Sequence, residues 1–174
     1  MGWVTLTLRK TELKRTHADY QMELLQISRE KRQMARQNHY DQLVARNDGQ
    51  ATMRSLYTDY KAQRDAINGQ IDDYYGSDVT GEDGEITDSQ QREIDNLKGD
   101  LDEAQEQYEQ NKMEAQQEME DELARIEEEA NDIETSLDQE QVEIEAQLEA
   151  ISAEMEAVGE AVSSQIQAST IKLS

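Results

Sequence analysis

The chain has 174 residues, with 40 Asp and Glu against 17 Lys and Arg, and a formal charge of −23. It contains no Cys, Pro or Phe, and 35% of its residues are hydrophobic, short of the ~45–50% usual for a compact domain. This excludes a disulfide scaffold, a thiolate zinc site and a cysteine nucleophile, argues against a thick globular core, and predicts neither a membrane span nor a signal peptide.

Residues 1–10 open with Val4, Leu6 and Leu8 alternating with Thr5 and Thr7. That period of two predicts a short N-terminal β segment, suited to docking. Residues 11–75 then read as a first long helix. Leu13, His17, Tyr20, Leu24, Ile27 and Met34 form one apolar run, and Met53, Leu56, Tyr60, Ile67, Ile71 and Tyr74 form another. Between them the pattern is weak, and Asn47-Asp48-Gly49 is a turn signal, so a kink or interruption is expected near 47–49. Residues 76–87 are an acidic, glycine-rich loop with Gly76, Gly81 and Gly84, after which Thr87 or Asp88 offers an N-cap.

Residues 88–168 read as a second long, acidic helix. A stripe at steps of three and four runs from Ile94 through Leu101, Ala115, Ile126, Leu137 and Ile144 to Val162, broken only by Lys112 and Gln141. Its spacing averages 3.6 residues over 19 steps, which describes a straight helix with one buried seam more than a strict heptad coil. Residues 169–174 repeat a brief alternation in Thr170-Ile171-Lys172-Leu173 and are expected to form a C-terminal β segment. The predicted fold is therefore all-α: a long antiparallel helical hairpin, or coiled coil, with short β segments at both chain termini. Both ends meet at one pole of such a hairpin. Val4, Leu6, Leu8, Ile171 and Leu173 are accordingly the candidate partner-binding residues, pairing with each other or extending a sheet on another chain.

Charge divides along the chain. Residues 1–70 hold 12 basic and 8 acidic residues, whereas residues 71–174 hold 5 and 32. The mildly basic first half is expected to lie beside the acidic second half, with Arg29, Lys31, Arg32 and Arg36 facing the acidic helix or an acidic partner. The remaining negative field repels nucleic acid and anionic membranes, so neither is an expected partner.

The tip loop is the one stretch resembling a ligand site. Asp83-Gly84-Glu85-Ile86-Thr87 resembles the middle of an EF-hand loop, but the phase is wrong. With Gly84 in sixth place, the first and third positions fall on Val79 and Gly81, and the twelfth on Gln90, where calcium needs side-chain oxygens and a bidentate Glu. Asp78, Glu82, Asp83 and Asp88 remain a candidate calcium cluster, against the simpler expectation of a solvated acidic turn and no cofactor. His17 falls on the apolar stripe and reads as a seam residue, and Tyr57, Tyr60, Tyr74 and Tyr75 widen the seam near the tip. No nucleotide-binding glycine loop, nucleophile elbow or metal-spaced His pair is present, and carboxylates on a wet helix face have no pocket to tune them.

A non-enzymatic structural coiled-coil protein is the expected function. It would be a building block, spacer or adaptor in a large assembly of protein subunits, itself oligomeric and cytoplasmic or in a virion. A phage head, neck or tail component, or the cytoplasmic part of a secretion machine, fits that expectation. Alternatives are an acidic helical chaperone that binds a basic partner and a calcium-responsive coiled coil.

Overall fold

The computed structural model describes residues 2–76 and 86–171, with side chains as far as residue 168. It contains two helices, α1 (Trp3–Gly76, 74 residues) and α2 (Asp88–Ile171, 84 residues). Among the described residues only Gly2, Ile86 and Thr87 lie outside them. The chain is all-α, and its two long helices pack against each other. It divides into two compact units, Met1–His39 with Glu127–Ser174 (unit 1) and Tyr40–Ile126 (unit 2).

No strand occurs among the described residues, so the β segments expected at the termini are corrected. Helix α1 begins at Trp3, and the amides of Thr5 and Leu6 donate to the Gly2 carbonyl at 3.0 and 3.3 Å. The Val4-Leu6-Leu8 alternation misled because it is too short to separate the two periods. Residues four apart share a helix face, so Val4 and Leu8 stand together on the outside while Leu6 turns inward and is buried. Leu6 is then in phase with Lys10, Leu13, His17 and Tyr20, which are all buried or half-buried. The intervening threonines are accommodated locally, the Thr7 hydroxyl donating to the Trp3 carbonyl at 2.9 Å, a common way for a helix to carry Thr. At the other end Ile171 is still helical, and Leu173 lies outside the described residues.

In unit 1 the helices run antiparallel. Arg9 of α1 reaches Glu154, while Lys31, further along α1, reaches the earlier Asp138 of α2. The seam is aliphatic. Ile27, Leu137 and Ile144 are buried together, with Tyr20, Leu24 and Leu148 packed against them. Burying a large aliphatic side chain contributes about 1.5–3 kcal/mol, so Leu6, Leu13, Ile27, Leu137 and Ile144, spaced along the seam, help hold two helices that each expose their remaining faces to water.

Unit 2 is also antiparallel, with Gly49 against Met119 and, further along α1, Tyr60 against the earlier Tyr108. Its seam is of different make. Helix α1 passes through Asn47-Asp48-Gly49 without a break. Gly49 serves close approach there: a Cβ added to it would lie 2.6 Å from Met119 Sδ and 3.0 Å from Met119 Cβ. The weak apolar pattern upstream is explained too, since the inward positions Asp41, Gln42 and Ala45 are half-buried polar or small residues.

The start of α2 is fixed by a reciprocal cap. The Thr87 hydroxyl accepts from the Gln90 amide at 3.3 Å, and the Gln90 side-chain oxygen accepts from the Thr87 amide at 2.8 Å and its hydroxyl at 2.9 Å. This capping box satisfies donors that a helix start leaves open and accounts for Gln90 being a buried polar residue.

Candidate functional site

The four described partner-binding candidates, Val4, Leu6, Leu8 and Ile171, are helical and form no β edge. Val4 and Leu8 project from the first turns of α1 with 62% and 60% of their surface exposed. Leu6 belongs to the seam, Ile171 is the last residue of α2, and Leu173 is outside the described residues. What the structure brings together on the surface is thus Val4 and Leu8 on one helix face, with the half-exposed Trp3 beside them.

That face continues. Met22 and Leu25 are also about three-fifths exposed, at 61% and 60%, although both are large apolar residues several turns inside a long helix. The hydrophobic seam hid them from the sequence reading, because they lie out of its phase. Their own spacing from Val4 and Leu8 carried the signal.

Of the basic cluster, Lys31 turns inward. Its ammonium donates to Asp138 Oδ1 at 2.5 Å and to Gln141 Oε1 at 2.6 Å. Arg29, Arg32 and Arg36 stay exposed, and none has an ion pair within the described residues. The expectation that this cluster faces the acidic helix is met by Lys31. At the chain start, Arg9 donates to Glu154 Oε1 through Nε at 2.9 Å and Nη2 at 2.7 Å. The hydrogen bond to Glu154, and then its negative charge, hold the Arg9 guanidinium above its ordinary pKa. Such exposed pairs contribute little stability, but they orient one helix against the other.

His17 is half-buried on the seam and His39 is exposed. Asp88 opens α2, while Asp78, Glu82 and Asp83 lie outside the described residues. Among the described residues no group of three or more His, Asp or Glu is placed to hold a metal ion.

In unit 2, Tyr60 stacks on Tyr108 with centroids 4.8 Å apart and planes 14° from parallel, and Tyr57 meets the same ring edge-on at 6.2 Å. The Lys112 ammonium lies 5.6 Å from the Tyr108 centroid and 3.4 Å from Glu109 Oε2. Tyr60 therefore fills the seam against Tyr108, as expected, whereas Tyr57 is 49% exposed and meets that ring from the rim. Tyr74 is half-buried, and Tyr75 is exposed. A groove of about 460 Å³ nearby is lined by Gln63, Gln70, Asp100, Glu103 and Gln107 above a floor that includes Ile67. It is open and polar, with the character of a wet flank of the seam. Elsewhere in this unit the Arg125 guanidinium holds Glu122 below the usual carboxylate range, mainly by a hydrogen bond, with both side chains about half exposed. Arg64 is held above its ordinary value by its hydrogen bond to neighbouring Asp65.

The described surface of unit 1 presents an apolar and basic face on α1 and an acidic face on α2. Helix α2 carries no Lys or Arg between Glu127 and Ile171, against 13 Asp and Glu. No protein-family model, curated protein or solved structure matches the chain.

Proposed function

We propose that this is a non-enzymatic structural protein, a paired-helix building block, spacer or adaptor that works within a larger protein assembly. The observation that carries the reading is the exposure of Val4, Leu8, Met22 and Leu25 on a single helix face. Isolated exposed apolar residues are ordinary, but an aligned set on one face is a surface for contact with protein. The two long helices each spend one stripe on the seam and keep the rest of their surface free for neighbours. A virion, such as a phage head, neck or tail, or the cytoplasmic part of a secretion machine is the setting we propose.

Light scattering with sedimentation velocity, at low and high salt, tests the reading. A defined oligomer or a growing polymer is expected. A species that stays monomeric across the concentration range, and binds no other subunit, would remove it.

A second reading is favoured by the lone sign of α2 in unit 1, where 13 carboxylates stand without a Lys or Arg between Glu127 and Ile171. Such a surface suits a helical chaperone or adaptor that covers a basic partner. It predicts a stoichiometric complex with a basic protein that dissociates as salt is raised, where the assembly reading predicts contacts that outlast high salt.

A further inference from the structure

Unit 1 of α1 carries two stripes, of which the seam uses one. The seam positions 6, 10, 13, 17, 20, 24, 27, 31 and 34 are buried or half-buried. Positions 4, 8, 11, 15, 18, 22, 25, 29, 32 and 36 recur at the same alternating steps of four and three, and every one is exposed. Each member from 4 to 32 precedes a seam residue by two, a rotation of about 200° around the helix, so this second stripe lies nearly opposite the first. It holds the large apolar Val4, Leu8, Met22 and Leu25 and ends in Arg29, Arg32 and Arg36. Its large apolar members come as two pairs, Val4 with Leu8 and Met22 with Leu25, separated by Thr11, Arg15 and Ala18; each pair is a surface on which another helix can pack, yet no residue of this chain covers either within the described residues.

Helix α2 in unit 1 has a matching outer stripe. Val142, Ala146, Glu149, Ala153 and Glu156 each precede a seam residue by two and are all exposed, placing them opposite their own seam in the same way. Two of its members are the small Ala146 and Ala153, Val142 is a larger apolar one, and Glu149 and Glu156 are acidic where the end of the α1 stripe is basic. Residues 1–39 carry eight Lys and Arg to four Asp and Glu, while residues 127–171 carry 13 Asp and Glu and no Lys or Arg.

We propose that the outer stripe of α1 docks against the acidic, alanine-bearing outer face of α2 from a second copy of this chain. The proposal rests on the assembly reading above and names its partner. Met22 and Leu25 seat over the alanines, whose small side chains admit a close helix approach, and Arg29, Arg32 and Arg36 meet carboxylates that flank them. Charge complementarity selects this occupant over others. The same carboxylates that attract a second copy oppose nucleic acid at the arginines. Because the two contacting faces differ, the contact is head-to-tail: every copy that uses its α1 face leaves its α2 face for the next, and copies add one after another into a ring or an open series.

The test is sedimentation velocity over a wide concentration range on wild type, on R29E/R32E/R36E, on E149K/E156K/E160K and on M22E/L25E. All substituted residues are exposed, and circular dichroism checks that helix content is kept. Wild type is expected to gain mass with concentration beyond a dimer. Each charge-reversal triple is expected to weaken self-association about a hundredfold, and M22E/L25E to weaken it as well. Mixing the two triples should restore it, since each then meets the opposite sign. Self-association that is unchanged in the arginine triple, or that mixing fails to restore, overturns this contact but leaves the assembly reading standing. A wild type that stays monomeric overturns this contact, and overturns the assembly reading as well only if it also binds no other subunit. Binding of a labelled duplex oligonucleotide by wild type, lost in the arginine triple, would overturn the proposal in favour of nucleic acid.

Discussion

Unit 1 and unit 2 each join the same two helices, but they fill the space between them differently. Unit 1 uses matched aliphatic residues, with Ile27 set among Leu137 and Ile144 at a strict 3.5-residue spacing along α1. Unit 2 buries Ala104 and Ala115, brings Gly49 against Met119, and fills a wider stretch with the Tyr60–Tyr108 stack. Aliphatic knobs tolerate some repacking at constant volume, whereas a glycine facing a long thioether depends on the size of one residue. The lesson is that a long two-helix seam need not be uniformly apolar. It needs complementary volumes and satisfied polar atoms, and among the described residues no buried side-chain nitrogen or oxygen lacks a partner.

The comparison breaks first at its largest side chains. Ile27→Ala in unit 1 and Ile94→Ala in unit 2, at 3% and 0% exposure, are each expected to cost about 2–5 kcal/mol. Hydrogen exchange should show whether each substitution loosens chiefly its own unit. Uniform loss of protection along both helices would mean that the two units unfold as one.

Glycine substitutions sharpen the contrast next. Ala in place of Gly gains roughly 1 kcal/mol in an open helix position, and Gly69 has nothing within 4 Å of an added Cβ. Gly69→Ala should therefore raise the melting temperature. At Gly49 the same gain is opposed by an overpacking cost of about 1–3 kcal/mol, because Met119 stands in the way. Gly49→Ala should lower the melting temperature, and equal behaviour of the two variants would refute the close approach.

Thr87→Ala removes one half of the capping box and should cost about 1 kcal/mol. The loss is expected at the start of α2, as faster amide exchange over its first turn.

The smallest effect belongs to Glu122. Its pKa is lowered in the folded state by the hydrogen bond from Arg125, so the pair's contribution is present above the ordinary carboxylate range. It is lost as pH falls through the folded value. Glu122→Gln should melt slightly below wild type at neutral pH, and the gap should close in acid as wild-type Glu122 takes up its proton. A gap that persists in acid would assign the effect to packing.

Much of this fold was legible in the sequence. Of the stripe read along α2, Ile133 is the position that the structure leaves exposed, at 50%. Lys112 and Gln141 looked like breaks, yet both are half-buried in phase. A long side chain can lay its stem in a seam and send its polar end outward, as Lys112 does toward Glu109, and Gln141 satisfies Lys31 from within. What stayed hidden were features whose meaning depends on the opposite helix. Gly49 after Asn47-Asp48 is a turn signal until Met119 is placed beside it. Three alternating apolar residues at the start are a strand until Leu6 is seen in phase with Leu13. The exposed stripe of Met22 and Leu25 was masked by the stronger seam. The glycine-rich segment and its acidic residues Asp78, Glu82 and Asp83 lie outside the described residues, which leaves Asp88 as the described member of that set.

Two helices with repeating seams can, in principle, slide along each other by whole heptads and still bury apolar residues. The Gly49–Met119 contact removes that freedom from unit 2. A slip of seven residues would set Gln42 or Leu56 where Gly49 now lies, and either side chain would have to displace the Met119 side chain that packs there. A single hydrogen atom in place of a side chain thus acts as a register pin, selecting one alignment of the two helices among several that their hydrophobic pattern would allow.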